Sequence, residues 1–362
     1  MLKAVPRILE IGDFQYFKQI YPEQTTSLWT GWRPSRVLPR RAYDDCTPLR
    51  FAAAMRDAAA GRYGVVVAYM SSRAPKLPRY WLRAFARQPW RPISALTRVF
   101  GVSWLQPFKF SMPFVVLDMN DTFGIGAHNF FLLDKADVAF KRELPADRWH
   151  VLFGSGHPNL PTQRIRGNDR WQARLAKLRP IALPVPRIDP KLFADGFPEK
   201  TVDVFFAGEV EKNNWVRRTG LSELKALAER GVQADLPEGR LPRQEFYRRL
   251  ARAWLAWSPA GYSWECYRTG EAAQCMTVPI VSHPTVERYR PLLDGEHLFQ
   301  YDIEPGGLTR VVEKALADKG RLQKMAAAGR DHVLKHHTLR GIVDHVLETA
   351  LAAAPIARPN AS

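Results

Sequence analysis

Apolar residues fall along this chain in short runs closed by Gly, Pro, Asp or Ser, the pattern of strands separated by turns. In the first half the runs are RILEI (7–11), GVVVAYM (64–70), PFVVLD (113–118), ADVAF (136–140) and HVLFGS (150–155). In the second half they are VDVFFAG (202–208), GVQADL (231–236), AWLAWSP (253–259), VPIVS (278–282) and HLFQYD (297–302). A helical period fills the gaps between the later runs, over 215–230, 242–252, 267–275 and 307–318. Strands alternating with helices predict an α/β chain with parallel sheets covered on both faces. The Pro-rich stretch LRPIALPVPRIDPKLFADGFPEK (178–200) carries no clean period and reads as a linker. The expected organisation is a Rossmann-like domain over 1–180, a linker over 181–200, a second Rossmann-like domain over 201–335, and a C-terminal helix with a frayed tail over 336–362. Two doubly wound domains of this kind are expected to face a crevice, with ligands beyond the carboxyl ends of the strands.

Two loops of the second domain carry chemistry. VDVFFAG runs into the polar loop EVEKNNWVRR (209–218) and then a helix. Gly208 permits close approach of a ligand to backbone, and the helix start offers free N–H groups to an anion. Lys212, Arg217 and Arg218 would add charge-assisted contacts, or they are ordinary basic residues of a solvated helix start. Next comes SPAGYSWECYRTGEAAQC (258–275), in which Ser258, Pro259, Ala260 and Gly261 close a strand with small residues. Arg268 and Glu271 follow at i,i+3 on one helix face. A carboxylate there can accept two ribose hydroxyls and the Arg can hold a diphosphate or a sugar carboxylate. The competing reading is a local Arg–Glu ion pair of little energetic weight.

These residues resemble the exostosin-type and group 1 glycosyltransferases. The order Pro-x-Gly, Arg-x-x-Glu-Ala, then Val-Pro-Ile matches, with Arg268, Glu271, Ala272, Pro279 and Ile280 in register and Cys266 in a place usually held by Ser. LLDGEHLFQYD (292–302) is similar to the D-G-x-x-L-F element that follows in these enzymes. The chain departs from the family where Met276 and Thr277 replace a Gly-Cys pair, and where Ser263 stands in place of the first acid of an E-x7-E pattern. The resemblance covers about residues 200–340. It implies a GT-B fold, a nucleotide-sugar donor held by the C-terminal domain, an acceptor held by the N-terminal domain, and no cofactor. It implies that Glu271 binds the donor ribose, while Arg268 and a basic residue of the 212–218 loop face the phosphates. It also implies metal-independent transfer. No D-x-D triplet occurs, and the nearest match, Asp302-Ile303-Glu304, reads as a strand-end loop.

Charge adds a partner class. The formal net charge is +17, which favours an anionic partner such as a membrane surface, a phosphorylated substrate or nucleic acid. No acidic residue occurs between Asp57 and Asp118, whereas nine Lys or Arg do. Within that span Arg79, Arg83 and Arg87 recur at i,i+4, with Trp81 and Phe85 on the opposite helical face. Such a stripe suits a helix lying on an anionic membrane next to a lipid-linked or cell-envelope glycan acceptor, or an aromatic face packed into the core beneath solvated arginines. For the base that activates an acceptor hydroxyl, Asp118, Asp121 and His128 are candidates at or near a strand's carboxyl end, with His157 as an alternative. Asp121 is equally well read as a turn or N-cap residue. Lys141 and Arg142 follow the next strand and are expected to face the same crevice.

Three cysteines without metal-ligand spacing, no signal-like leader and no long apolar run point to a cytoplasmic protein, and the arginine–aromatic stripe adds the expectation that it is peripheral on the inner face of a membrane. Polysaccharide biosynthesis is the expected setting. The alternative is a basic nucleic-acid-binding protein, or a GT-B enzyme that glycosylates modified DNA, although no helix-turn-helix, zinc-finger or RRM pattern occurs.

Overall fold

The computed structural model describes residues 4–31, 46–71, 82, 86, 100–152, 169–210, 214–261 and 263–353. Trp81, Arg83, Phe85 and Arg87 of the arginine stripe, His157 and Lys212 lie outside them. The chain divides into two compact units, Met1–Ile181 with Val343–Ser362, and Ala182–Ile342.

The first unit is a parallel sheet of six strands: β1 (Ile8–Gly12), β2 (Thr25–Trp29), β3 (Val65–Tyr69), β4 (Phe114–Asp118), β5 (Val138–Lys141) and β6 (Leu178–Pro180). Their spatial order is β2-β1-β3-β4-β5-β6. Helices α1 (Tyr16–Ile20), α2 (Pro48–Ala59), α3 (Phe130–Lys135) and α4 (Asp169–Ala176) belong to it. Alternate strand residues divide between the two faces. Leu9, Ile11, Val66, Ala68, Phe114, Val116 and Ala139 pack into one core with Phe51, Met55, Leu132 and Leu133.

The second unit is a five-stranded parallel sheet in the order β11-β10-β9-β7-β8. Its strands are β7 (Val202–Phe205), β8 (Ala234–Asp235), β9 (Ala253–Trp257), β10 (Val278–Ser282) and β11 (Phe299–Tyr301). Its helices are α5 (Trp215–Glu229), α6 (Arg243–Ala251), α7 (Tyr267–Gln274), α8 (Gly307–Leu316) and α9 (Lys319–His336). Val204, Phe206, Leu255 and Trp257 face one core. Phe205, Ala207, Ala253 and Ala256 face the other, with Ala272 of α7 and Leu250 of α6. Helices therefore cover both faces, as strand–helix alternation requires. The last helix, α10 (Leu339–Ala352), carries the chain back to the first unit. There the Tyr21 hydroxyl donates to the Asp344 carboxylate, and the Phe140 and His345 rings meet edge-on at 5.5 Å.

One expected strand is corrected. Residues 150–152, the described part of the run read as HVLFGS (150–155), belong to a 3₁₀ turn (Arg148–Leu152). Asp147 seeds it, its carboxylate accepting from Trp149 N at 3.1 Å and its carbonyl from His150 N at 3.0 Å. Such local side-chain bonding competes with a strand ladder. β2 and β6 were not anticipated. β2 reads TTSLW, and its Thr25 and Ser27 are buried although polar, which masks it as a strand. β6 is three residues long and opens the Pro-rich stretch, pairing Leu178 with Ala139. That stretch is more ordered than a linker pattern suggests. The Lys200 ammonium donates to the carbonyls of Ala251, Ala253 and Met276 at 2.6–2.9 Å, which ties its end to the base of the second sheet.

Among the described residues, no helix is long and apolar enough to cross a membrane.

Candidate functional site

Strand order locates the site in the second unit. β7 lies between β8 and β9, so the chain winds one way from β7 to β8 and the other way from β9 through β10 to β11. The loops after β7 and β9 therefore diverge, and a doubly wound sheet binds its ligand where they part. The loop after β7 carries Gly208 and leads to α5, and the loop after β9 carries Gly261 and leads to α7.

Two arginines occupy this point. Arg268, in the first turn of α7, is only 9% exposed and lies with its guanidinium carbon 5.1 Å from the Phe206 ring centre. A β-carbon on Gly208 would sit 2.5 Å from Arg268 Nη2, so a side chain there would displace the guanidinium from this position. The Nε and Nη1 groups of Arg268 are buried and have no hydrogen-bond partner among the described residues. Burial lowers the pKa of this guanidinium, the neighbouring Arg217 lowers it further, and Cys266 and Glu271 offset part of the shift. Arg217 comes from the first turn of α5, where the Asn214 side chain caps the helix by accepting Arg217 N at 3.0 Å. Its Nη1 donates to Glu209 O at 2.8 Å, while its buried Nε has no partner among the described residues. A β-carbon on Gly261 would lie 2.9 Å from Arg217 Nη2. The two glycines thus make room for two like charges, three of whose buried nitrogens, Arg217 Nε and Arg268 Nε and Nη1, find no hydrogen-bond partner among the described residues. Such an arrangement costs stability unless an anion completes it.

Glu271 points elsewhere. Its Oε1 accepts from the Tyr247 hydroxyl of α6 at 3.0 Å, and that hydroxyl accepts from Arg243 Nε at 2.9 Å. Burial raises the Glu271 carboxyl pKa and, with the nearby Glu271 charge, pushes the Tyr247 phenol up to about 12. No ion pair joins Arg268 to Glu271, so the local-pair reading of these two residues fails. They interact through space but serve different neighbours. Between them the Thr269 hydroxyl lies 2.9 Å from that of Ser258, which fixes α7 against the end of β9. Arg218, also read as a donor-site residue, is exposed on α5.

Of the residues expected to hold a donor, the structure brings together Gly208, Arg217, Gly261 and Arg268, with Glu271 one turn further along α7. Tyr247 and Arg243 were missed because the contact joins residues 24 apart, and nothing local marks it.

In the first unit the candidate bases separate. Asp118, at the end of β4, is buried. Its carboxylate takes Lys141 Nζ at 2.8 Å, Asn120 N at 3.1 Å and Asn120 Nδ2 at 2.6 Å. Lys141 is itself fully buried and also donates to Thr122 O at 2.6 Å. Asp121 pairs with Arg142, which reaches back from the residue after β5. His128 is half-buried, and its Nε2 lies 2.9 Å from Ser71 O, just beyond β3. β1 and β3 are adjacent and flank the switch point of this sheet, so His128 is the candidate nearest the place a ligand would enter. Sequence reasoning missed Glu10 on β1. It is fully buried, accepts from Phe17 N and Lys18 N at 3.0 Å and from the Tyr69 hydroxyl at 2.7 Å, and has its pKa raised by burial to about 7.

No protein-family model matches the chain, and no relative is found among curated proteins. Solved structures do resemble it. A sucrose-phosphate synthase from Thermosynechococcus elongatus superposes with a TM-score of 0.52 at 12% identity, over 96% of this chain and all of that one. Anabaena HepE, solved in complex with UDP, gives 0.52 at 11% identity over the same shares. A glycosyltransferase from Rickettsia africae gives 0.52 at 9% identity, over 97% of this chain and 98% of its own. Identities this low speak to architecture alone. Two doubly wound parallel units spanning the whole length of these structures show that the chain has the GT-B fold.

Proposed function

We propose that the protein is a glycosyltransferase that moves a sugar from a nucleoside-diphosphate-sugar to an acceptor hydroxyl. One observation carries this reading. A buried arginine with donors that no described residue takes up stands at the switch point of the second sheet, beside a second arginine, in space that two glycines leave open. A diphosphate supplies the charge and the acceptor atoms that this pair lacks. Negative charge grows on the diphosphate as the glycosidic bond breaks, and donors already fixed in place stabilise it without reorganisation. Glu271, oriented by Tyr247, would take the ribose hydroxyls. Leaving-group stabilisation by arginines is consistent with transfer that needs no metal.

On the acceptor side, His128 is the base we favour. The Asp118 carboxylate is committed to Lys141 and Asn120, and Asp121 to Arg142. The basic stretch from Arg79 to Arg98 supports a lipid-linked or envelope glycan acceptor presented at an anionic membrane surface, whereas the rings that follow, Trp104, Phe108 and Phe110, pack against the core of the first unit. The net charge of +17 alone favours the second reading, a nucleic-acid-binding protein.

The test is release of nucleoside diphosphate from a panel of UDP-, GDP- and dTDP-sugars, with water or simple glycosides as acceptor. Turnover of one donor that falls by about 100-fold or more in Glu271→Ala is expected. No turnover of any donor, together with tight, salt-sensitive oligonucleotide binding indifferent to Glu271, would replace the transferase reading with the second one.

A further inference from the structure

A second feature of the same unit has no part in the diphosphate site. On the other flank of the α7 start lies a pocket of about 520 Å³, part of it open to solvent. Trp264, Tyr267 and Tyr289 give it aromatic walls, and Val185, Leu292 and Leu298 an apolar floor.

Two charged residues line it, Arg288 and Glu265. The Arg288 guanidinium carbon lies 5.2 Å from the Trp264 ring centre, so the plane is held in place by the indole. Its Nη1 donates to Leu292 O at 3.2 Å, its single hydrogen bond among the described residues. Most of this guanidinium's donor capacity is therefore unspent in a wall that half-buries it, and burial lowers its pKa. Glu265 is anchored, its Oε2 accepting from Leu183 N at 2.8 Å. His337 also lines the pocket. Burial lowers its pKa to about 4, and its Nε2 lies 2.9 Å from Arg290 O, so it adds no positive charge near neutral pH. Trp264 is fixed in turn, its Nε1 donating to Ser282 O and His283 O at 3.2 Å beyond β10.

Aromatic walls stack on the C–H faces of a pyranose ring, a carboxylate such as Glu265 accepts from ring hydroxyls, and a planar guanidinium takes a carboxylate through two parallel bonds. We propose that this pocket binds a sugar ring that carries a carboxylate, with Arg288 as the residue that selects the acid. Two sources supply that chemistry, the transferred sugar of the donor or the terminal sugar of the acceptor. Where the ring belongs to the donor, the assignment rests on the donor-site reading above. Where it belongs to the acceptor, it does not.

The experiment is calorimetric titration of the full chain with UDP, UDP-glucose, UDP-glucuronate, glucose and glucuronate, for wild type and Arg288→Gln. If the donor carries the acid, UDP-glucuronate binds about tenfold or more tighter than UDP-glucose, and Arg288→Gln removes the preference while leaving UDP unchanged. If the acceptor carries it, the two UDP-sugars bind alike, and free glucuronate binds in preference to glucose with the same dependence on Arg288. Equal binding within both pairs overturns the assignment, and UDP binding in that same experiment leaves the donor reading standing. Glucuronate selectivity without any binding of UDP sustains the pocket and excludes uridine as the donor's nucleoside. Arg288→Lys guards against a folding defect. It keeps the charge and the stem but loses the two-pronged geometry, so a partial loss of selectivity is expected with an unchanged melting curve.

Discussion

At the residue scale, the informative feature is a side chain that the fold holds at a cost. Arg268 is buried beside another arginine, with two nitrogens that have no partner among the described residues. Replacing it by Met removes a desolvated charge and keeps the apolar contact with Phe206. Arg268→Met is therefore expected to be at least as stable as wild type, by roughly 1 kcal/mol or more, in an unfolding titration without ligand. A clear loss of stability would mean that the arginine is structural. Gly208→Ala acts on the same group from the other side. The added methyl, 2.5 Å from Nη2, must push the guanidinium out, so weaker diphosphate binding with little change in stability is expected. Ligand titration of that variant distinguishes displacement from misfolding. Met276 shows another residue-scale departure. It follows α7 with φ of 58°, the left-handed region that glycine favours, at a place where the resembling family has glycine.

At the element scale, two predictions concern how helices meet sheets. Gly220 lies in α5 where a β-carbon would come within 2.2 Å of the Trp257 indole. Alanine is the better helix former by about 1 kcal/mol. Overpacking outweighs that gain, so Gly220→Ala is expected to destabilise by roughly 1–3 kcal/mol in chemical denaturation. Glu10 ties the start of α1 to β1 and β3 through three hydrogen bonds. Its pKa is raised from 4.5 to about 7, so the folded state holds its proton more tightly than the unfolded chain does. The stability Glu10 contributes is fully present below about pH 4.5 and is lost as pH rises through about 7, a change of roughly 3 kcal/mol. The lowered pKa values of His297, His336 and His337 act in the opposite sense, with stability lost as pH falls. The difference between wild type and Glu10→Gln isolates the carboxyl. It is expected to fall across pH 4.5–7, and a flat difference would refute the assignment.

The same scale shows what was legible in the sequence. β10 and helices α5, α6 and α7 fell within a residue or two of their expected spans, because continuous apolar runs and a clean 3.6-residue period leave little choice. β2 was lost because buried Thr25 and Ser27 look like loop residues. Residues 150–152 were misread because Asp147 captures the backbone locally. In the site, the glycines and arginines could be named from strand–loop–helix punctuation. The Tyr247–Glu271 contact and the Arg288–Trp264 stack join distant segments and could not.

At the scale of the whole molecule, the GT-B fold supplies two doubly wound units and leaves chemistry to the loops at their switch points. The charge of +17 is not confined to the candidate site, and polyanions are expected to bind the surface whatever the protein does. Specific nucleotide binding must therefore be separated from general attraction, and the Arg268 exchange does this while removing one charge. The most direct measurement is thermal unfolding of wild type and Arg268→Met, alone and with UDP, GDP, dTDP and ADP, at an ionic strength that screens the surface. One diphosphate is expected to raise the melting temperature of wild type and leave the variant unmoved, while the unliganded variant melts no lower than wild type. Failure of every diphosphate to shift wild type, or an equal shift in the variant, would contradict a diphosphate site at Arg268.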